Sequence, residues 1–265
     1  IREFRLVLPT KQKVTLDIME ALLLNLSSCA FPLSFELIGT HEATTVQLAC
    51  RESDANSVRQ QFKAYFHEIS VDEQPEYLSS VWGGKYSVVV DFGLSKEFVR
   101  PLRKVGSLET DPLIGIIGAL ENLEPGESGV LQVLFQPVRH PWGESAMRAV
   151  TDWEGKPFFA DAPEMVPYTK EKVKHPLYAV VLRIGATSPD EGNAWEIVRG
   201  LGGGLRHLAD AQSNELIPLN NDDYEDSVHE AAFLTRLSYR TGMILNSEEL
   251  VSLVHLPSIT VRAEK

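Results

Sequence analysis

Apolar and polar residues alternate along EFRLVLP, which puts Phe4, Leu6 and Leu8 on one face and predicts a half-buried strand. The period then lengthens. Thr15 offers an N-cap oxygen to a helix whose apolar stripe is Leu16, Met19, Leu22, Leu23 and Leu26. Period two returns in LSFELIG, with Leu33, Phe35 and Leu37 aligned. The polar turn GTHEATT leads from there into TVQLAC, where Val46, Leu48 and Cys50 share a side, so the pair predicts a hairpin. Ser53 and Asp54 open a second helix with the stripe Val58, Phe62, Tyr65/Phe66 and Ile69. The order β-α-β-β-α is most of a split βαβ unit, and residues 1–70 form a first αβ module.

After the polar bridge VDEQPEYLSSVWGG, the strand YSVVVDFGL begins a second module over residues 84–240. Asp111 caps and Pro112 starts a helix through Leu123, with Leu113, Ile116, Ile117 and Leu120 on its buried side. Residues 124–126 end it, and GVLQVLFQPV is a β-prone strand. From His140 to His175 prolines and the pair Trp142 and Trp153 interrupt any period, which predicts an irregular insertion at about 140–175. LYAVVLRIGA is a strand. SPDE follows as a capping box, with Ser188 as N-cap, Pro189 first in the helix and Glu191 the reciprocal acceptor. Trp195, Val198, Leu201, Leu205 and Leu208 continue at helical spacing, NELIPL reads as a short strand, and Val228 to Tyr239 as a further helix. Residues 241–265 read as a helix and linker, in which Asn246 caps, Glu249 completes a capping box and Pro257 stops the helix. The predicted class is α+β: two ferredoxin-like modules, an irregular insertion and a C-terminal helical segment.

Charge narrows the function classes. With 25 basic and 37 acidic side chains the formal charge is −12, which argues against a broad phosphate-binding face and hence against direct nucleic-acid contact. The acidity concentrates between His207 and Thr235, where Asp210, Glu215, Asp222, Asp223, Glu225, Asp226 and Glu230 occur; a solvated loop face is favoured there over a metal site. Two basic clusters, Lys96/Arg100/Arg103/Lys104 and Lys170/Lys172/Lys174, offer contacts to an acidic partner. Cys29 and Cys50 match no metal or redox spacing and read as buried reduced thiols, which fits a cytoplasmic protein. No apolar run is long enough to span a bilayer, no signal-peptide pattern is present, and the missing initiator Met implies a trimmed or partial chain.

Motifs that would carry chemistry fail on single residues. A P-loop needs GxxxxGK[ST], but Gly84-Lys85 is followed by Tyr86 and Gly155-Lys156 by Pro157, so there is no Walker A. GLGGGL at 200–205 falls outside the strand-to-helix context of a dinucleotide fingerprint and reads as a close-packed glycine patch in a helix, with a hinge or subunit contact as the alternative. HEAAF at 229–233 puts Phe233 where a zincin needs its second His, which leaves Glu230 as a surface residue. GESAM at 143–147 lacks the last Gly of a nucleophile elbow. His67 beside Glu68 reads as structural, and the four tryptophans as core and edge packing, with ligand stacking open for Trp142 and Trp153. No catalytic, cofactor-binding or metal-binding residue is assigned.

Two stretches carry a resemblance. They are RPLRKVGSLETDPLIGIIGALENLEPGESGVLQVLFQP, from Arg100 to Pro137, and the closing LSYRTGMILNSEELVSLVHLPS. In this order they resemble the region that precedes the motor domain in HerA/TraG-like ATPases of the FtsK–HerA superfamily, among them coupling proteins of conjugation and type IV secretion. The similarity spans roughly residues 84–258 and includes no catalytic position; residues 1–70 share only a general αβ pattern. The resemblance implies a non-catalytic accessory domain for assembly or partner recruitment in a ring-forming DNA translocase. It also implies a homo-oligomeric ring, a protein partner, and ATP and Mg in a motor domain absent from this chain. Two alternatives remain from the residues alone: a stand-alone protein–protein interaction module, and a metal-dependent hydrolase built on the 207–235 acidic run.

Overall fold

The computed structural model describes residues 1–9, 11–106, 111–220 and 225–258. In the first module β1 (Arg2–Val7), α1 (Leu16–Leu26), β2 (Leu33–Thr40), β3 (Thr44–Cys50), α2 (Ala55–Tyr65) and β4 (Ser70–Glu73) follow one another, and the strands lie in the order β4-β1-β3-β2. That is a complete ferredoxin-like unit, with every neighbouring pair antiparallel. After α3 (Tyr77–Val81) the second module repeats the scheme with β5 (Tyr86–Leu94), α4 (Ile114–Glu121), β6 (Ser128–Pro137), β7 (Leu177–Ser188), α7 (Glu191–Gly204) and β8 (Leu216–Pro218). Its strands lie β8-β5-β7-β6, so the class is α+β as the periodicity predicts.

The two units share one sheet. Strand β2 pairs with β6 from Leu33↔Phe135 to Thr40↔Ser128, joining the modules edge to edge through the equivalent strand of each. Each module thus covers the other's open edge with a long antiparallel ladder, removing two exposed apolar edges at once. One face carries α1, α2, α4 and α7 over the main core, which includes Phe4, Leu22, Phe35, Leu37, Leu131, Leu182 and Leu201. The other face is covered by α3 and by α8 (Asp226–Thr235), through a small cluster of Ile38, Leu78, Val130 and Phe233.

Close helix packing accounts for the last glycine of the run. A Cβ on Gly204 of α7 would lie 2.7 Å from Ile116 Cγ1 and 3.0 Å from the Ile116 nitrogen of α4, and Gly200 faces Ala119. Only glycine at 204 lets the two helices approach this closely, at a propensity cost of about 1 kcal/mol.

Several sequence expectations need correction. The insertion is helical, with α5 (Trp142–Val150) and α6 (Met165–Val173) packed on each other around Ala146, Val150, Met165 and Val166. Its prolines misled because Pro141 precedes α5, while Pro167 falls in the first turn of α6, where an N–H has no intrahelical partner. Ser188 still belongs to β7; the N-cap of α7 is Asp190, which accepts from Asn193 N at 3.1 Å, while the Ser188 hydroxyl donates to Glu127. Ser53 and Asp54 do lead into α2, with Asp54 at its N-cap position, but the Asp54 carboxylate accepts from the Ala30 and Phe31 nitrogens and not from the helix. The last helix of the pair-covering face ends at Thr235, because Arg236 adopts a left-handed φ of 56°.

The largest correction concerns residues 241–258. They form β9 (Met243–Asn246), which pairs with β7, then a short helix α9 (Ser247–Leu250) with the expected Asn246–Glu249 capping box, then turns. Every residue from 251 to 258 is buried. This segment is core rather than linker. Residues 259–265 lie outside the described residues. Among the described residues no helix is long and apolar enough to cross a membrane.

Candidate functional site: a buried joint between distant segments

The closing segment is fixed by a buried histidine–aspartate contact and a buried lysine–glutamate ion pair to residues far away in sequence. His255 and Asp111 are both fully buried; His255 Nε2 lies 2.9 Å from Asp111 Oδ1, and its Nδ1 lies 2.8 Å from the Val251 carbonyl. Both ring nitrogens therefore face acceptors. Asp111 also accepts from Leu113 N at 2.8 Å, at the entry to α4, and from Ser258 N at 2.6 Å. The second pair joins Lys172 Nζ of α6 to Glu249 Oε2 at 2.6 Å, with side-chain exposures of 0% and 1%. Glu249 Oε1 accepts from Leu102 N at 2.8 Å, and Oε2 from Asn246 N at 2.7 Å. Together these contacts tie Leu102, Asp111, α6 and the segment after β9 into one joint.

The charges are held at a cost. Burial would raise the Asp111 carboxyl, but the hydrogen bonds from His255, Ser258 and Leu113 outweigh it and hold its pKa below the ordinary 3.8. Burial also depresses the Lys172 ammonium, with Glu249 offsetting part of the loss. A carboxylate whose folded pKa is depressed contributes stability that is complete above its unfolded pKa and is lost as pH falls through the folded value. Asp111→Asn is therefore expected to cost about 1.5–3 kcal/mol at neutral pH and to flatten the stability loss between about pH 4 and the folded pKa. Urea midpoints of both proteins across that range check this; parallel acid limbs would count against the assignment.

A second polar system lies on the opposite sheet face, under α8. Cross-strand register places Arg5, Gln47, Glu36, Gln132, Arg183 and Asp91 in one row across β1, β3, β2, β6, β7 and β5. All but Arg5 are buried. Glu36 accepts from Gln47, Gln132 and Ser34, and Gln132 also donates to the Phe233 carbonyl at 3.0 Å. Arg236, just past α8, reaches Glu36 at 2.9 Å and Glu3 at 2.7 Å. Burial disfavours its charge, but the two carboxylates prevail and its pKa rises. At the far end Arg240 lies 2.9 Å and His229 3.3 Å from Asp91, and Arg183 donates to the Leu237 carbonyl. Burial lowers the Arg183 guanidinium, with Asp91 and Glu36 countering it. The row fixes strand register and holds the 225–240 strap to the sheet.

The residues singled out from sequence are scattered. Arg100 pairs with Glu97 and Glu164, Lys104 with Glu171 and Glu248, and Lys172 with Glu249, so three of the seven side chains in the two basic clusters are engaged internally. Glu230 is half-buried and accepts from the Trp82 indole, which corrects its surface reading. Cys29 and Cys50 are free and buried, and burial pushes their thiols up to about 11 and about 12, so both are inert at neutral pH. Asp222 and Asp223 of the acidic run lie outside the described residues; among the described residues no three His, Cys, Asp or Glu side chains cluster as metal donors. Trp82 packs on Phe233 and Trp142 on Phe98, but Trp153 is 92% exposed and packs on nothing comparable.

The pattern of a family described as a domain of unknown function, DUF8128, matches residues 15–156, more than half of the 265. The chain belongs to this family. The DUF8128 match begins at the N-cap of α1 and ends at Lys156 inside the insertion, so it takes in the β2–β6 junction of the two modules but only the first part of the joint. No curated protein matches the chain significantly.

Proposed function

We propose that this protein is a non-catalytic accessory domain for assembly or partner recruitment in a HerA/TraG-like DNA-translocating ATPase, acting in the cytoplasm as part of a homo-oligomeric ring. The observation that carries the reading is the joint. The two stretches behind the resemblance, 100–137 and 237–258, supply Leu102 and Asp111 on one side and Glu249, His255 and Ser258 on the other. Motifs without catalytic residues that meet as a buried polar lock are explained by architecture rather than by chemistry. A segment locked in this way would hold whatever follows it in a fixed orientation, which a ring motor requires of its accessory domain. The acidic balance of −12 would keep DNA off this surface.

The reading predicts that the isolated chain has no nucleotide site. Its melting temperature should not move in saturating ATP–Mg, whereas a ligand at a hundred times its Kd would stabilise by about 2.7 kcal/mol. A rise of several degrees would count heavily against it.

A further inference from the structure

Charge is segregated across the layer beneath the 225–240 strap. The strap side chains that reach the sheet's carboxylates are Arg236, Arg240 and His229. Arg236 forks onto Glu36, with Nε 2.9 Å from Oε1 and Nη2 3.0 Å from Oε2, while its Nη1 lies 2.7 Å from Glu3. Arg240 and His229 both face Asp91. Glu230, the strap's half-buried acid, turns away from the row to the Trp82 indole.

The apolar hold on the strap is small. It buries Ala232 and Phe233 but leaves Val228, Leu237 and Tyr239 exposed, at 37%, 51% and 63%. A helix kept only as a core lid turns such residues inward. Arg236 closes α8 in the left-handed region, a position that glycine usually fills, so backbone strain is accepted at the residue that makes the fork. The fit beneath is incomplete as well. Gln47 Oε1, Gln132 Oε1 and Asp91 Oδ1 are buried and accept no hydrogen bond among the described residues, whereas a layer built only to stay closed pairs such atoms. An element held by charge over few apolar contacts opens before the sheet it covers.

We propose that the strap is an autoinhibitory clasp, and that the carboxylates beneath it, Glu3, Glu36 and Asp91, dock an arginine-bearing segment of a partner protein when it lifts. The strap itself shows the chemistry of that occupant: one guanidinium forked onto a carboxylate and a second basic group for Asp91. A phosphate backbone or an anionic membrane is repelled by the same face. This gives the recruitment reading a surface and rests on it for the existence of a partner, yet the opening of the strap is measured without one.

The test uses the full chain and, as probe, a synthetic peptide of residues 225–240. Amides of 229–237 should lose hydrogen-exchange protection at least about tenfold faster than those of the β2–β6 ladder. Arg240→Met frees the strap at its more exposed anchor, with 24% side-chain exposure against 7% for Arg236. It should tighten peptide binding, read by fluorescence anisotropy, by about tenfold, because the open state is more populated. The same peptide carrying Arg236→Gln should bind that variant at least about tenfold more weakly. Strap amides that exchange no faster than the ladder overturn the proposal. So does a peptide that fails to bind the Arg240→Met chain, binds it no tighter than the unaltered chain, or binds it equally well with Arg236→Gln. None of these results touches the scaffold reading, which fails on nucleotide binding instead.

Discussion

Replacing Arg236 with methionine should cost about 3–5 kcal/mol of unfolding free energy. Its guanidinium spans two carboxylates that are themselves buried, Glu36 at 0% and Glu3 at 6% side-chain exposure. Methionine can fill much of the volume but leaves two anions without a cation in a water-poor layer. Desolvation of the surviving charges, more than the lost attraction, sets the size of the effect. Glu36 keeps its hydrogen bonds from Ser34, Gln47 and Gln132, so the outcome should be a weakened fold rather than none. Adding Glu36→Gln to Arg236→Met should recover part of the loss, since an amide needs no counter-ion. Urea denaturation of the three proteins measures this. A loss below about 1 kcal/mol would place the pair in solvent, and the strap would then be detached from the sheet.

Lys172→Met should have an effect of the same order, about 3–5 kcal/mol, for the same reason at the other face. Glu249 would keep the hydrogen bonds from Leu102 and Asn246 but lose its one ion-pair partner among the described residues, in a fully buried setting. The structural readout is distinct. Hydrogen exchange should rise in 243–258 and in the 102–106 stretch ahead of that in the β2–β6 ladder, because α6 and α9 meet through this pair. Lys172→Met with Glu249→Gln should regain part of the stability. Uniform exchange across the sheet would mean the pair is no local lock.

The strands were legible because each presents an apolar phase to the helix layer: Phe35 and Leu37, Leu131 and Val133, Leu182 and Ile184. The polar row was not. Glu36, Gln47, Gln132, Arg183 and Asp91 occupy the opposite phase, where an alternating strand reads as solvent-facing. A signal was present in FELIG, LQVLF and VLRIG, where a lone polar residue has apolar or glycine neighbours two positions away; Ile38, Val130 and Gly185 share its face. A solvent face would not carry such residues repeatedly. The capping box at Asn246 was readable from its spacing, but the fate of its segment was not. Seen alone, a capped helix followed by proline looks like an exit, and only Asp111, far upstream, shows that it turns into the core. The insertion helices were hidden by prolines that sit before or inside a first turn.

Modules that position chemistry performed elsewhere, as proposed, hold no reaction centre of their own. Steady-state ATP hydrolysis by the purified chain, with magnesium and at high protein concentration, is the most direct check. Release of phosphate should not exceed the protein-free rate. Turnover that follows the monodisperse protein and disappears on substituting Asp91 or Asp111 would contradict the account.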